Sequence, residues 1–333
     1  MVYKIICYGR HSDLLNLSFN LSKEISSIRK IDVQIYTDRN QIDGQTDNEL
    51  EFQNKSSLKV ACELVFKRNQ IIHIVSPSFK SFLIGLLAKI LCHTVFYNIH
   101  RFDFASYRTL KRVFLILFTI SAFCISNKVF IHIKKKKFLF WKKKLCFVEL
   151  PLHSHFKPIT SITGDEILLF GRLDTNKGLE FFYELAKILP EERFRLCGEV
   201  VDKNLNLIIN KIKKCKNVET QLNRVDTEEI PSIFSKAKFI ILPYTDASQS
   251  GVIYLAKSLG MPVLISDVGD LKNSLKTKHE GICLEKGNIQ LWKDTIQKTN
   301  WVELKKELLN TLNEDYTCGY NLHLENFFNQ IND

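Results

Sequence analysis

Apolar runs recur along the chain, each closed by a polar or glycine-containing turn and most followed by a stretch of helical spacing. In the first half these runs predict strands over Tyr3–Tyr8, Ile31–Thr37, Ile71–Val75, Thr94–Ile99 and Leu145–Leu150. Helices are predicted from about Asp13 to Ile28, over Ser56–Arg68 and over Phe79–Leu91, with Asn40–Asn48 as an exposed polar loop. The second half repeats the alternation, with strands over Glu166–Phe170, Arg193–Cys197, Val218–Leu222 and Phe239–Leu242. Its helices are expected over Leu179–Leu189, Lys203–Lys214 and Thr227–Lys236, followed by a helical tail, Ile289–Leu312 and Asn321–Ile331. The strands are continuously apolar rather than alternating, which is the pattern of parallel strands buried on both faces. Strand and helix in regular alternation predict an α/β fold of two doubly wound, Rossmann-like domains with a cleft between them. The boundary is expected in Ser154–Gly164, giving domains of 1–155 and 156–333.

The most informative stretch is Lys238–Leu271, KFIILPYTDASQSGVIYLAKSLGMPVLISDVGDL. The run Phe239–Leu242 is closed by Pro243, and a polar loop follows. A helix-like segment, Val252–Leu259, then stops at Gly260, and a second strand starts at Pro262. That order is a βαβ unit, and in parallel sheets ligands sit outside the carboxyl ends of the strands. The loop Thr245–Gly251 thus leads into a helix N-terminus whose free amides and positive dipole end suit an anion such as phosphate. In the competing reading, Asp246, Ser248 and Ser250 are only helix caps.

Length and composition change the picture in three ways. At 333 residues, 45% hydrophobic and 25% charged, the chain fits two soluble globular domains. Nine cysteines are scattered through apolar runs without a CxxC pair, so they read as buried free thiols in a reducing compartment. No zinc or disulfide framework is expected, and the start MVYKIICYGR lacks the features of a secretory leader, so a cytoplasmic location is expected.

The net charge of +11 is unevenly placed, because residues 1–150 hold 24 Lys and Arg against 11 Asp and Glu. Between Arg108 and Lys144 there are eleven basic residues and no acid. Lys134, Lys135, Lys136, Lys137, Lys142, Lys143 and Lys144 flank Phe138, Phe140 and Trp141, a pattern suited to an anionic membrane surface with aromatic interfacial anchors. A solvated lysine face is the alternative. Nucleic acid is not expected as a partner, since no RNA-binding aromatic signature or helix-turn-helix spacing accompanies the charge. Neither Val113–Ser126 nor Phe79–Tyr97 is a convincing membrane span, the first being too short and the second interrupted by Lys80, Lys89 and His93. Both read as buried or interfacial segments.

Candidate chemistry gathers at strand ends. His100 follows the strand Thr94–Ile99 and is a candidate polar ligand or acid/base group. His153 and His155 have poor metal-ligand spacing and read as structural. The loop Gly171-Arg172-Leu173-Asp174-Thr175-Asn176-Lys177-Gly178 places an Arg fork and a flexible Lys after the first strand of the second domain, a pair able to neutralise a diphosphate.

Taken together, GR…KG, the strand ending at Gly198, the helix carrying Glu228, Glu229, Ile230, Phe234 and Ala237, the ILPY strand end and A.SLGMPVLISDVG resemble the donor-binding half of family-4 glycosyltransferases of GT-B fold. The first half is similar through YNIH, ISNKVFIH and VELPLHSHF. The resemblance implies retaining transfer of a sugar from a nucleotide-diphosphate sugar without a catalytic metal or other cofactor. It implies diphosphate binding by Gly171, Arg172 and Lys177, with Arg172 and Lys177 stabilising the departing nucleotide, and places His100 near the transferred sugar. Backbone amides of Gly251 and Val252 would meet the phosphate. The sequence departs from the family pattern at its paired glutamates: counting back from Gly260-Met261-Pro262, their positions fall on Ala247 and Leu255. Asp246, Ser248 or Gln249 would then take over the sugar contacts, with Ser250 also among the donor-binding residues.

The expected function is transfer to a lipid-linked saccharide at the inner face of a membrane, in bacterial O-antigen or capsule synthesis. The alternatives are a non-catalytic partner that recruits a transferase to the membrane, or a nucleotide-sugar epimerase of the same fold.

Overall fold

The computed structural model describes residues 2–7, 18, 21–22, 25–26, 32–37, 52–54, 56–75, 78–99, 109–131, 144–148, 156–161, 163–247 and 249–312. They fall into two compact units, divided between Pro151 and Leu152. Each is an α/β unit built on one parallel sheet, as the continuous apolar runs require.

The first unit contains seven parallel strands: β1 (Val2–Cys7), β2 (Asp32–Thr37), β3 (Phe52–Asn54), β4 (Ile71–Ile74), β5 (Thr94–Ile99), β6 (Lys128–Ile131) and β7 (Leu145–Phe147). Their spatial order is β3-β2-β1-β4-β5-β6-β7, so the winding reverses between β1 and β4. Three helices cover one part of the sheet: α1 (Ser57–Phe66), α2 (Phe79–Ile90) and α3 (Thr109–Ile125). Ser56 and Ser78 cap α1 and α2 through their side chains, which explains where both helices begin. The helix α2 lies tight on the sheet because Gly85 has no Cβ; one added there would overlap Tyr97 and Ile74. Burial of His73 in β4 is compensated by hydrogen bonds, its Nδ1 lying 2.7 Å from the Tyr3 hydroxyl and its Nε2 2.7 Å from Asn98 Oδ1.

The second unit has six parallel strands: β8 (Glu166–Phe170), β9 (Arg193–Cys197), β10 (Val218–Gln221), β11 (Ala237–Leu242), β12 (Val263–Ser266) and β13 (Gly281–Leu284). Their order is β10-β9-β8-β11-β12-β13, so this winding reverses between β8 and β11. Its helices are α4 (Leu179–Ile188), α5 (Asn206–Ile212), α6 (Ile230–Ser235), α7 (Gly251–Ser258), α8 (Ile289–Lys298) and α9 (Trp301–Thr311). The core joins β8, β9 and β11 to α4 and α5 on one face, with Trp292 and Trp301 closing it. Trp301 stacks on Phe239 of β11 with ring centroids 3.8 Å apart and planes at 18°.

Several expectations need correction. The strands β3, β6 and β13 escaped the pattern reading: each has only three or four residues, and β6 opens with a lysine. The first part of the tail is two helices rather than one, broken where the Asn300 side chain caps α9. The cysteines are not uniformly buried. Cys7, Cys146 and Cys197 are, but Cys62, Cys92 and Cys124 are exposed, because Cys62 and Cys124 face outward on α1 and α3 and Cys92 sits in the turn after α2. The expected tail helix Asn321–Ile331 lies outside the described residues, as do His153 and His155.

Lys305 of α9 is 3% exposed, and its ammonium donates to the Ser161 carbonyl at 2.6 Å. Burial lowers its pKa from 10.5 to about 8. Between those two values the unfolded chain binds more protons than the folded one, so the unfavourable contribution is full below pH 8 and fades as pH rises toward 10.5. The stability of the native chain relative to Lys305→Met should therefore rise by about 2–3 kcal/mol across this window. Urea unfolding at a series of pH values measures it, and a constant difference between the two proteins would contradict the account.

Candidate functional site

The reversal between β8 and β11 fixes where a site forms in the second unit. Connections leaving these two strands run to opposite sides, which leaves a crevice at their carboxyl ends. One wall is the loop Gly171–Gly178 after β8, and the other is the loop from Pro243 to the start of α7.

The first loop is shaped by its backbone. Gly171 has φ 112° and Gly198, at the end of β9, has φ 140°. A Cβ on Gly198 would overlap the Gly171 carbonyl, so the two strand ends approach as only glycine allows. Leu173 is buried and bonds back to the β9 connection, its amide donating to Glu199 O at 2.8 Å and its carbonyl accepting from Val201 N at 3.0 Å. Asp174 caps the single 3-10 turn Thr175–Lys177 by accepting from Asn176 N at 3.0 Å. Anchoring Leu173 inward leaves its neighbour Arg172 exposed.

The second loop is tied to the first. Thr245 N donates to Asn176 O at 2.9 Å, and Gly178, in the left-handed region at φ 68°, passes the Pro243 carbonyl so closely that a Cβ would overlap it. The loop is held from the other side by Ser266 of β12, whose hydroxyl donates to Tyr244 O at 2.8 Å, and by Lys286, whose ammonium donates to Thr245 O at 3.2 Å. The buried Tyr244 ring lies beneath Lys177, with Nζ 3.9 Å from its centroid, a cation–π contact of about 0.5–2 kcal/mol.

At the mouth of α7, Ser250 occupies the N-cap position without making a side-chain cap bond. Its hydroxyl lies 3.3 Å from that of Tyr244 instead. The competing reading of Ser250 as a side-chain cap is thus not filled, and the amides of Gly251 and Val252 have no partner among the described residues. Gly251 faces open space.

Charge pairing separates this rim from the rest of the unit. Arg195 is bound by Glu166 and by Glu219, each at 2.6 Å, Lys238 by Glu192 at 2.8 Å and the buried Lys257 by Glu280 at 2.6 Å. Arg172 and Lys177 meet no carboxylate among the described residues. Two unpaired cations and two free helix-start amides around one crevice have the chemistry that suits an anion. A groove of about 540 Å³ also opens at the opposite ends of the strands, lined by Asp165, Glu166, Arg193, Arg195, Glu219 and Lys236. Its two arginines are already paired with its own carboxylates, so it lacks the free charge of the β8–β11 crevice.

The structure thus brings Gly171, Arg172, Lys177, Ser250, Gly251 and Val252 to one rim. Asp246 is exposed and Gln249 half-buried on the second loop. Ser248, His100, Lys134–Lys137 and Trp141–Lys143 lie outside the described residues. Lys144, expected at a membrane surface, donates from Nζ to Phe123 O at 3.0 Å and Cys124 O at 3.4 Å, satisfying carbonyls at the end of α3. Leu255, where a glutamate would stand, is buried in α7. The sequence reading missed Tyr244, Ser266 and Lys286 as parts of the site. Their contacts cross between strands, and only the position of Tyr244 directly after a strand could have flagged one of them.

Two doubly wound parallel units in succession are the architecture of the GT-B fold. Residues 164–299, which include every loop of this rim, match the model of the family Glycosyl transferases group 1. The chain has the GT-B fold, and the matched region of its second unit is similar to group 1 glycosyl transferases. Comparison with curated protein sequences gives no match. Among solved structures the chain is similar to Anabaena Alr3699/HepE in complex with UDP, at 13% identity and a TM-score of 0.69 over 99% of both chains. A glycosyltransferase from Rickettsia africae matches at 12% identity and a TM-score of 0.69, over 98% of this chain and 97% of that one. The lipopolysaccharide outer core galactosyltransferase WaaB matches at 14% identity and a TM-score of 0.64, over 99% of this chain and all of that one.

Replacing Gly178 by Ala should destabilise the second unit by about 1–3 kcal/mol, because the new Cβ meets backbone in a left-handed conformation. Gly251→Ala, with open space around the new atom, should change stability by less than about 1 kcal/mol. Denaturant midpoints of the two variants test the interlocked loops, and equal effects would contradict them.

Proposed function

We propose that the chain transfers a sugar from a nucleotide-diphosphate sugar to a lipid-linked saccharide acceptor in the synthesis of a bacterial surface polysaccharide, an O-antigen or capsule. The observation that carries the donor half of this reading is the pair of unpaired cations, Arg172 and Lys177, facing the free amides of Gly251 and Val252 across the switch point. A diphosphate bridging these groups would meet positive charge from both walls. As the sugar departs, negative charge grows on the nucleoside diphosphate, and an oriented guanidinium and ammonium stabilise that charge in the transition state. They would take the part a metal plays in other transferases, so the reaction is proposed to need none and to proceed with retention.

Asp246, Ser248, Gln249 and Ser250 are proposed to contact the donor sugar, and His100, beyond the carboxyl end of β5, to lie near it in the complex. The presence of UDP in the HepE crystal and the description of WaaB as a lipopolysaccharide outer core galactosyltransferase support a nucleotide-sugar donor and a glycolipid acceptor. The basic first half, with 24 Lys and Arg against 11 Asp and Glu in residues 1–150, supports work at an anionic membrane surface from the cytoplasmic side.

Thermal-shift titration with UDP, GDP, dTDP and ADP, in the presence of a chelator, tests the donor site. One nucleotide should stabilise the protein by about 2.7 kcal/mol at a hundredfold excess over its dissociation constant. Arg172→Ala and Lys177→Ala should each weaken that binding by about 10- to 100-fold, the worth of a charge-assisted hydrogen bond. If no nucleotide stabilises the protein, or if neither substitution changes affinity, the proposed donor site is wrong.

A further inference from the structure

Large apolar side chains are distributed very differently on the two units. Among the described residues, nine of the thirteen exposed ones lie on α1, α2 and α3 of the first unit, and the other four are spread over the second. Scattered single residues need no explanation, but a concentrated set does.

The spacing shows that these are faces. On α2 the buried positions are Ser81, Ile84, Gly85 and Ala88, whereas Phe79, Leu83 and Ile90 are 60%, 47% and 68% exposed. The intervals of four and seven residues set these three on one side of the helix, opposite the sheet. The helix therefore carries two apolar stripes, one with Phe82, Ile84 and Ala88 toward the core and one with Phe79, Leu83 and Ile90 toward solvent. On α3 the same intervals recur in Val113, Leu117 and Ile120, all about half exposed. On α1 the outward side carries Leu58 and Phe66, at 74% and 85% exposed. Contacts join α1 to α2 and α2 to α3, so the three stripes lie side by side in one layer.

The charge around this layer is of one sign. Lys59, Lys67, Arg68, Lys80 and Lys89 are exposed on α1 and α2 or directly after α1, and none has a partner among the described residues. The one acid on the three helices is Glu63, half-buried and bonded to Lys4 at 2.7 Å. A second copy of this face would oppose cation to cation in a two-fold interface, which disfavours self-association. An anionic lipid surface complements both properties at once, taking the apolar stripes among the acyl chains and the ammonium groups among the headgroups. No described helix is long and apolar enough to cross a membrane, so the contact is interfacial.

We infer that the outer faces of α1, α2 and α3 form a docking surface for an anionic lipid bilayer. The inference rests on the membrane part of the proposed function and gives it a location independent of the basic segment 134–144. Docking through three adjacent helix faces fixes the orientation of the first unit on the bilayer.

Cosedimentation of the full chain with vesicles of phosphatidylglycerol and phosphatidylethanolamine, against vesicles of phosphatidylcholine alone, tests the surface. The chain should bind the anionic vesicles, and Leu83→Glu/Leu117→Glu should weaken that binding by about 10-fold or more. Both substituted side chains point to solvent, so the circular dichroism spectrum and the nucleotide response should stay as in the native chain. Leu207→Glu, on the exposed side of α5, should leave vesicle binding unchanged. Binding that survives Leu83→Glu/Leu117→Glu would overturn this surface while leaving membrane association intact. Absence of binding to any vesicle would overturn both. A dimer in sedimentation equilibrium that dissociates in the double variant would assign the face to a second copy instead.

Discussion

The close passage of Gly178 against the Pro243 carbonyl governs the geometry of the rim at the β8–β11 switch point. Two connections that leave adjacent strands in opposite directions would otherwise be free to move apart. Here they meet at a point where no side chain fits, and the Thr245 amide bonds to the Asn176 carbonyl beside it. This contact brings Lys177 over the Tyr244 ring and fixes the second loop as it enters α7. The ammonium of Lys177 is therefore held in place without a ligand, and preorganised charge is what stabilises a transition state at least cost.

Pairing elsewhere in the unit makes that charge selective. Arg195 and Lys257 are nearly inaccessible and each has its carboxylate, because an unpaired buried ion would cost several kcal/mol. Arg172 escapes this requirement by being exposed, and Lys177 partly escapes it through the face of an aromatic ring, which attracts a cation without neutralising it. An incoming anion competes with water for Arg172 and displaces no protein carboxylate at Lys177. The same logic explains why the groove at the other ends of β8, β9 and β10 is less suited to an anion despite its two arginines.

Much of the fold was legible in the sequence because parallel strands buried on both faces need unbroken apolar runs. Glu166–Phe170 and Arg193–Cys197 were placed to the residue, and Thr94–Ile99 likewise. The strands that escaped, β3, β6 and β13, are too short for a run to stand out, and pairing with a neighbour rather than local pattern defines them. In the site, Arg172 and Lys177 were visible because one loop carries both between two glycines. Tyr244, Ser266 and Lys286 were not, since they act across the sheet on a loop distant in sequence. The capping reading of Ser250 failed for a related reason: its hydroxyl had a choice between the helix amides and Tyr244, and only the tertiary structure decides it.

The helices of the first unit show how one sequence pattern can serve two surfaces. A helix in a doubly wound domain needs one apolar stripe for its sheet, and α2 satisfies that need with Ile84, Gly85 and Ala88. Phe79, Leu83 and Ile90 leave much of their apolar area in contact with water, an arrangement that stability alone does not favour. Their helical spacing, repeated on the neighbouring helix and edged by unpartnered lysines, is what the proposed docking surface rests on. On the proposed reading the two units divide the work, the second presenting charge to a small anion and the first presenting apolar and basic side chains to an extended one.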